Sequence, residues 1–223
     1  MPAALPRPLA PPPSRRRARV GRPAVVSAVL APTVFIGGTL VAGLIWPSYD
    51  PVHQTISELA AGDAPTREFM TLIFLLTAAC HVVTGAFLRD IGPAGRVALV
   101  LAGAATFAVA LFPLPTVAGT SVAHRTSATA GFILLAIWPV LGMRVRRSHP
   151  WIVRPLGATL GTVALAMVCF WFLAVWASPN TGAIGVVERF AADAESLWPA
   201  VVVAVLLVVG DHGGRQRRIR TRS

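Results

Sequence analysis

The chain has 223 residues, of which 55% are hydrophobic and only 13% are charged, and its mean hydropathy is +0.67. Soluble domains carry about 25% charged residues, so this composition argues against a soluble enzyme and against a disordered protein. All 20 basic residues are arginines, and with nine acids they give a formal net charge of +11. Because the arginines lie between apolar stretches, they indicate membrane topology and no nucleic-acid binding.

Six apolar stretches follow one another along the chain, and each is long enough, or nearly so, to cross a bilayer core, which takes about 20 helical residues. They predict spans at Ala24–Trp46, Phe69–Leu88, Val97–Phe112, Ser127–Met143, Pro155–Ala177 and Ser196–Gly210. The third and sixth are short in strictly apolar residues, so we expect them to extend into flanking sequence. The predicted fold is all-α: a polytopic membrane protein with a six-transmembrane-helix bundle over residues 24–210.

The arginines predict the orientation of this bundle. Seventeen of them precede the first span, follow the sixth, or lie between spans two and three or four and five. Only Arg67, Arg125 and Arg189 lie on the other side, together with most of the acids. By the positive-inside rule both termini are cytoplasmic. Residues 1–23, rich in proline and arginine, are predicted to be a disordered cytoplasmic tail. Residues 211–223 are predicted to be a basic cytoplasmic tail. The arginine-rich, lysine-free composition is typical of a GC-rich bacterial genome, so we expect a bacterial inner (plasma) membrane.

Polar and charged residues that are candidates for binding or catalysis lie at the predicted outer helix ends. Glu58 follows the first span, His124 and Arg125 open the fourth, and Glu188 and Arg189 precede the sixth. If they converge, two carboxylates, one imidazole and two guanidiniums are able to bind a polar headgroup, hold a metal or transfer protons. The alternative is local: Thr55-Ile-Ser-Glu58 fits a capping box, and Glu188-Arg189 neutralise each other at a helix end.

His81 lies inside the second span, past its middle toward the cytoplasm. An ionisable residue at that depth is a functional candidate, although a neutral imidazole bonded to a threonine or a carbonyl explains it equally. The two cysteines, Cys80 and Cys169, lie within spans and are interpreted as small core residues.

Catalytic and cofactor motifs are missing from the sequence. It contains no glycine-rich phosphate loop, no His-Glu-x-x-His and no Gly-x-Ser-x-Gly, so we predict no cofactor. Zinc sites generally need three protein ligands, whereas His124 is the one well-placed outer histidine, with His53 as a further possibility. No metal site is predicted.

Several short motifs, in their order along the chain, carry a resemblance to a known family. Tyr49-Asp50-Pro51, Ile56-Ser57-Glu58-Leu59, His124 at the fourth span, and Gly185-Val-Val-Glu188-Arg189 resemble the domain-of-unknown-function 998 family of six-helix membrane proteins. The resemblance covers about residues 25–210. A more distant similarity is to the DRAM/Frag group, which has six spans, a serine–acid motif after the first and a histidine entering the fourth. The family implies a fold and no assigned activity.

The family pattern falls on Ser57, Glu58, His124, Glu188 and Arg189, which lie in all three outer segments. With Arg125, they are the predicted ligand-binding residues. We therefore expect an outward-facing polar pocket that binds a lipid headgroup or a small ligand. The alternatives are a membrane-embedded enzyme acting on lipid, in which His124 with Glu58 or Glu188 provides acid–base or metal chemistry, and a small-solute transporter. The expected partners are the lipid bilayer and that ligand, with no nucleic acid.

Overall fold

A computed structural model describes residues 20–178 and 182–220, with side chains described up to residue 209. Within these ranges the chain is all-helical, without a β-strand. Its α-helices are α1 (Arg22–Ile45), α2 (Ile56–Leu59), α3 (Arg67–Phe87), α4 (Pro93–Leu111), α5 (Val122–Leu141), α6 (Pro155–Trp176) and α7 (Ile184–Arg220), and a 3-10 turn (Trp151–Val153) precedes α6. Most of the predicted disordered tail, residues 1–19, lies outside the described residues.

Five of these helices are long and apolar enough to cross a membrane: α1, α3, α4, α6 and residues Ile184–Val209 of α7. The sixth long helix, α5, has 20 residues, but His124, Arg125, Thr126 and Ser127 in its first turns lower its hydropathy. The multi-pass membrane character predicted from the sequence is therefore confirmed, and the count of apolar spans is five among the described helices.

Three helices begin before the predicted spans, and for the third and sixth spans this confirms the expected extension into flanking sequence. The helix predicted from Ser196 begins at Ile184, that from Ser127 begins at Val122, and that from Val97 begins at Pro93. In each case the first residues of the helix include polar or small ones, so the strictly apolar run starts later than the helix. Residues 184–195, predicted as part of an outer loop, form the first three turns of α7, and the side chains of Glu188 and Glu195 face the cavity inside the bundle.

The six long helices form a closed ring. Each packs most extensively against two neighbours, in the order α1, α3, α4, α5, α6, α7 and back to α1, and α5 also touches α7. Small residues permit the closest approaches: a Cβ on Gly103 would meet the backbone of α3 at Ala78, and one on Gly161 would overlap the Trp198 ring of α7. Large apolar side chains such as Leu44, Leu160 and Phe170 cover the outside of the ring, as expected for a lipid-facing surface.

Helix α2 lies at one end of this ring, called here the α2 end. The starts of α3, α5 and α7 meet there: Gly185 donates its amide to Val52 at 3.0 Å, and Gly62 donates to Leu114 of the α4–α5 loop at 2.8 Å. At the opposite end, Arg144 donates to the carbonyl of Ile91 at 2.6 Å and closes the α3–α4 turn against the start of the α5–α6 loop. The α2 end therefore brings together the three segments that carry the predicted site.

Candidate functional site

Helix α2 is built by the predicted capping box, which the structure confirms. The Thr55 hydroxyl accepts from the Glu58 amide at 3.3 Å, and the Glu58 carboxylate accepts from the Thr55 amide at 2.6 Å. Burial raises the pKa of the Glu58 carboxyl, and the hydrogen bond from the Thr55 backbone opposes that rise. Glu58 therefore has a local structural partner at the start of its own helix.

Glu188, in the second turn of α7, joins α7 to α2. Its side chain is buried, one carboxylate oxygen accepts from the Ile56 amide, and the other lies 3.3 Å from the Ser57 hydroxyl. Ile56 and Ser57 are both more than 130 positions away from Glu188 in the sequence. A carboxylate from a distant helix thus binds the first turn of α2, where free amide groups point outward.

His124 completes the group from the first turn of α5. The Ser121 hydroxyl caps this helix by accepting from the His124 amide at 3.3 Å. The buried ring places Nδ1 3.0 Å from the carbonyl oxygen of Phe112 and Nε2 3.1 Å from the Ser57 hydroxyl. A carbonyl oxygen only accepts, so Nδ1 carries a proton and Nε2 faces Ser57.

Glu188, Ser57 and His124 therefore form one hydrogen-bonded chain, called here the relay. Its two hydrogen bonds need two protons, and the Ser57 hydroxyl supplies only one. If both contacts are hydrogen bonds at the same time, the second proton lies on Glu188, with His124 neutral, or on Nε2 of His124, with Glu188 ionised. Both arrangements have a net charge of zero, so the relay holds one exchangeable proton without leaving a buried charge unbalanced.

The two guanidiniums of the predicted cluster do not join the relay. Arg189 turns toward the α1–α2 loop, where Nη1 donates to the carbonyls of Pro51 and Gln54 at 2.9 and 3.2 Å and Nη2 donates to the Tyr49 hydroxyl. Burial raises the pKa of Tyr49 to about 12, so it remains a phenol and donates to the carbonyl of Thr55 at 2.9 Å. Arg125 is exposed on α5.

A cavity of about 100 Å³ adjoins the relay and continues into the ring of helices. Ser57 and Glu188 line it at the α2 end, and Phe35, Phe74 and Phe132 are among its apolar walls. Every long helix except α6 contributes side chains to this lining. The arrangement places a small, mainly apolar space directly beside the exchangeable proton of the relay.

Farther along, the same cavity is lined by four polar residues, which form its deep part: Thr77, His81, Glu195 and Ser196. All four are buried, with at most 3% of each residue exposed. His81 was predicted as a candidate from its depth, whereas the other three were missed. Glu195 follows Glu188 by seven residues and so lies on the same helix face two turns on, a signal that was present in the sequence.

Other candidate ligands lie apart from the relay. His53 is exposed and its Nδ1 lies 2.6 Å from the Asp50 carboxylate, a contact that lowers the pKa of Asp50. Among residues 20–178 and the described part beyond 182, no group of three His, Cys, Asp or Glu side chains is placed to hold a metal ion.

Comparison with known proteins identifies the family without assigning an activity. No curated protein and no solved structure matches the chain. The family model described as a protein of unknown function (DUF998) matches residues 29–205, which include the relay and the deep part of the cavity. The chain belongs to the DUF998 family of membrane proteins of unknown function.

Proposed function

We propose that this protein is a six-span protein of a bacterial inner membrane, with both termini in the cytoplasm and the α2 end facing outward. The asymmetric arginines support this orientation, because 17 of 20 lie on the side of the two termini. A helix of 20 residues such as α5 is about 30 Å long, which matches a bilayer core. In the closed ring α5 packs against α4 on one side and α6 on the other, as each of the apolar long helices packs against its own two neighbours.

The outward cavity binds a small polar ligand, and its chemistry favours a protonated amine. The observation that carries this proposal is the sign of the side chains that line the cavity: Glu188 and Glu195 line it, and no arginine among the described side chains does. A bound amine would take the place of the relay's proton: Glu188 gives up that proton and, once ionised, serves as the buried counter-charge of the ammonium group. A phosphate, by contrast, is normally recognised by guanidinium groups, and here Arg125 and Arg189 point elsewhere.

The size of the cavity limits what enters it. About 100 Å³ accommodates an ethanolamine-sized group but no complete lipid headgroup with its glycerol. The same amine is present in a free solute and at the tip of a phosphatidylethanolamine headgroup. If the source is the lipid, only its terminal amine fits into the cavity, and its phosphate stays outside.

A binding assay on the full-length protein in phosphatidylglycerol nanodiscs tests the proposal. Radiolabelled ethanolamine is expected to bind wild type, and Glu188→Gln is expected to weaken that binding by at least about tenfold because the buried counter-charge is lost. Arg125→Gln is the control and retains binding. Equal binding by wild type and Glu188→Gln contradicts the proposal, as does a wild type that binds no ethanolamine.

A second arm separates the two sources of the amine. Phosphatidylethanolamine is added to the nanodiscs while the free label is kept constant. If the pocket takes the lipid headgroup, the lipid competes with the label; if it takes only the free solute, the bound label does not change. Absence of competition therefore shows that the pocket binds the free solute. In both cases the ligand is an amine.

A lipid-acting enzyme is the second candidate, favoured by the contact between the Ser57 hydroxyl and Nε2 of His124. A serine activated in this way also needs amide donors for the oxyanion of the intermediate. The Ile56 amide beside Ser57 is already bound by Glu188, and an ionised Glu188 would repel that oxyanion. Ligand binding is therefore the better-supported function.

A further inference from the structure

The deep part of the cavity contains polar atoms without protein partners. The Thr77 hydroxyl, Nδ1 of His81 and the Ser196 hydroxyl are buried, and none makes a hydrogen bond within the described chain. Buried polar groups in proteins are nearly always bonded to protein or to ordered water. Three such groups around one cavity indicate that water or a small polar molecule belongs there.

The shape of the cavity favours a file of waters. Its lining runs from Phe74 to His81 on α3 and from Glu188 to Glu195 on α7, a rise of about 10.5 Å on each helix. Spread over that length, 100 Å³ leaves a narrow passage with space for only a few water molecules. Polar side chains lie along the passage on both helices.

Titratable groups occur at both ends of this passage. The relay holds its exchangeable proton at the α2 end, and Glu195 and His81 lie in the deep part. Glu195 also accepts from the Cys169 thiol of α6 at 3.0 Å. Among the described residues, α1, α4 and α5 contribute no titratable side chain to the lining, and His124 of α5 is linked to it through Ser57.

A pair of hydroxyls extends this line toward the opposite end of the ring. Thr84 lies one turn beyond His81 on α3 and is buried. Its hydroxyl is 2.7 Å from that of Ser27 on α1, and Ser27 also donates to the carbonyl of Pro23 at 2.8 Å. Pro23 is exposed at the start of α1. Hydroxyls that donate and accept are suited to pass a proton along such a line.

We propose that the cavity conducts protons across the bundle, from the relay through the waters beside Glu195 and His81 to the Thr84–Ser27 hydroxyl pair. Within the cavity each step moves one proton between a side chain and a water. One further water is required between the cavity and Thr84, and the proton leaves Ser27 to solvent water beside the exposed Pro23, because the Pro23 carbonyl only accepts. Chains of acidic and histidine side chains inside membrane bundles are the usual elements of proton relays. This activity goes beyond amine binding and does not depend on it.

Proton flux into vesicles tests this proposal. The full-length protein is reconstituted into phosphatidylglycerol vesicles containing a pH-sensitive dye, and a potassium gradient with valinomycin drives protons inward. We expect wild type to acidify the vesicles at least about tenfold faster than protein-free vesicles, and Glu195→Gln to remove most of that excess. Asp193→Asn is the matched control: it changes a carboxyl on the same helix that does not line the cavity, and it keeps the wild-type flux.

Two results overturn the proposal: wild-type flux no faster than in protein-free vesicles, or wild-type flux in Glu195→Gln. If Glu195→Gln fails to fold, Ser57→Ala replaces it, because it breaks the relay without removing a charge. Normal flux in Ser57→Ala then refutes the proposal, and lost flux supports it. Because the vesicles contain no amine lipid, a failure of amine binding leaves this result unaffected.

Discussion

Glu58 and Glu188 are carboxylates that bind the same turn of helix in different ways. Glu58 accepts from the Thr55 amide three residues before it, while Glu188 reaches the Ile56 amide from a different helix. The local contact is predictable from the spacing of Thr55 and Glu58 alone. The distant one is not, since it depends on how α7 packs against α2. The sequence analysis therefore identified both residues as candidates, but it predicted the same ligand-binding role for both.

Arg189 is the residue whose predicted role differs most from its contacts. The sequence grouped it with the ligand-binding residues, and its side chain instead holds the α1–α2 loop through carbonyl oxygens and the Tyr49 hydroxyl. A charge alone does not show which way a long side chain points. Its position beside Glu188 in sequence places it on an adjacent face of α7, turned toward the loop.

Removal of the Arg189 guanidinium is expected to destabilise this loop. Arg189→Gln loses several hydrogen bonds from a charged donor, which lowers the free energy of unfolding by about 2 kcal/mol. Thermal unfolding in detergent measures the change, and limited proteolysis shows faster cleavage within residues 49–54. The control Arg125→Gln, at an exposed position, leaves both unchanged. An unfolding temperature for Arg189→Gln equal to that of the control contradicts this role.

At the scale of elements, the apolar runs predicted most helices well and failed where a helix turns polar side chains inward. The spans at Ala24–Trp46 and Pro155–Ala177 agree with α1 and α6 within two residues, because both helices are apolar on nearly every face. The start of α7 was missed by 12 residues. Hydropathy treats Glu188 and Glu195 as signs of a loop, whereas both face the cavity inside the ring.

Docking of α7 on the α1–α2 loop depends on Gly185. A Cβ at this position would overlap the carbonyl oxygens of Gln54 and Pro51, whereas a Cβ on Gly37 meets nothing within 4 Å. Gly185→Ala is therefore expected to lower the free energy of unfolding by about 1–3 kcal/mol, while Gly37→Ala does not lower it. Chemical unfolding in mixed micelles compares the two. A Gly185→Ala variant as stable as Gly37→Ala shows that the loop does not pack closely on α7.

For the whole molecule, the all-helical membrane fold could be predicted from the sequence, which also shows the arginine asymmetry, but the cavity could not be predicted. Length and hydropathy define each long helix by itself. The cavity arises from where six helices place small and polar side chains in the ring, and Thr77 and Ser196 look ordinary in any single helix. The relay includes His124 in the first turn of α5, so the outward position that we propose for it depends on α5 crossing the membrane.

Labelling of two single cysteines tests that dependence most directly. Ala118→Cys lies in the exposed loop before α5 and Ser148→Cys in the exposed segment after it, each in a background with Cys80→Ala and Cys169→Ser. A membrane-impermeant maleimide applied to intact cells is expected to label Ala118→Cys, and to label Ser148→Cys only after permeabilisation. Labelling of both positions from one side would show that α5 does not cross. Labelling of Ser148→Cys alone in intact cells would place the relay at the cytoplasmic face and contradict the outward pocket.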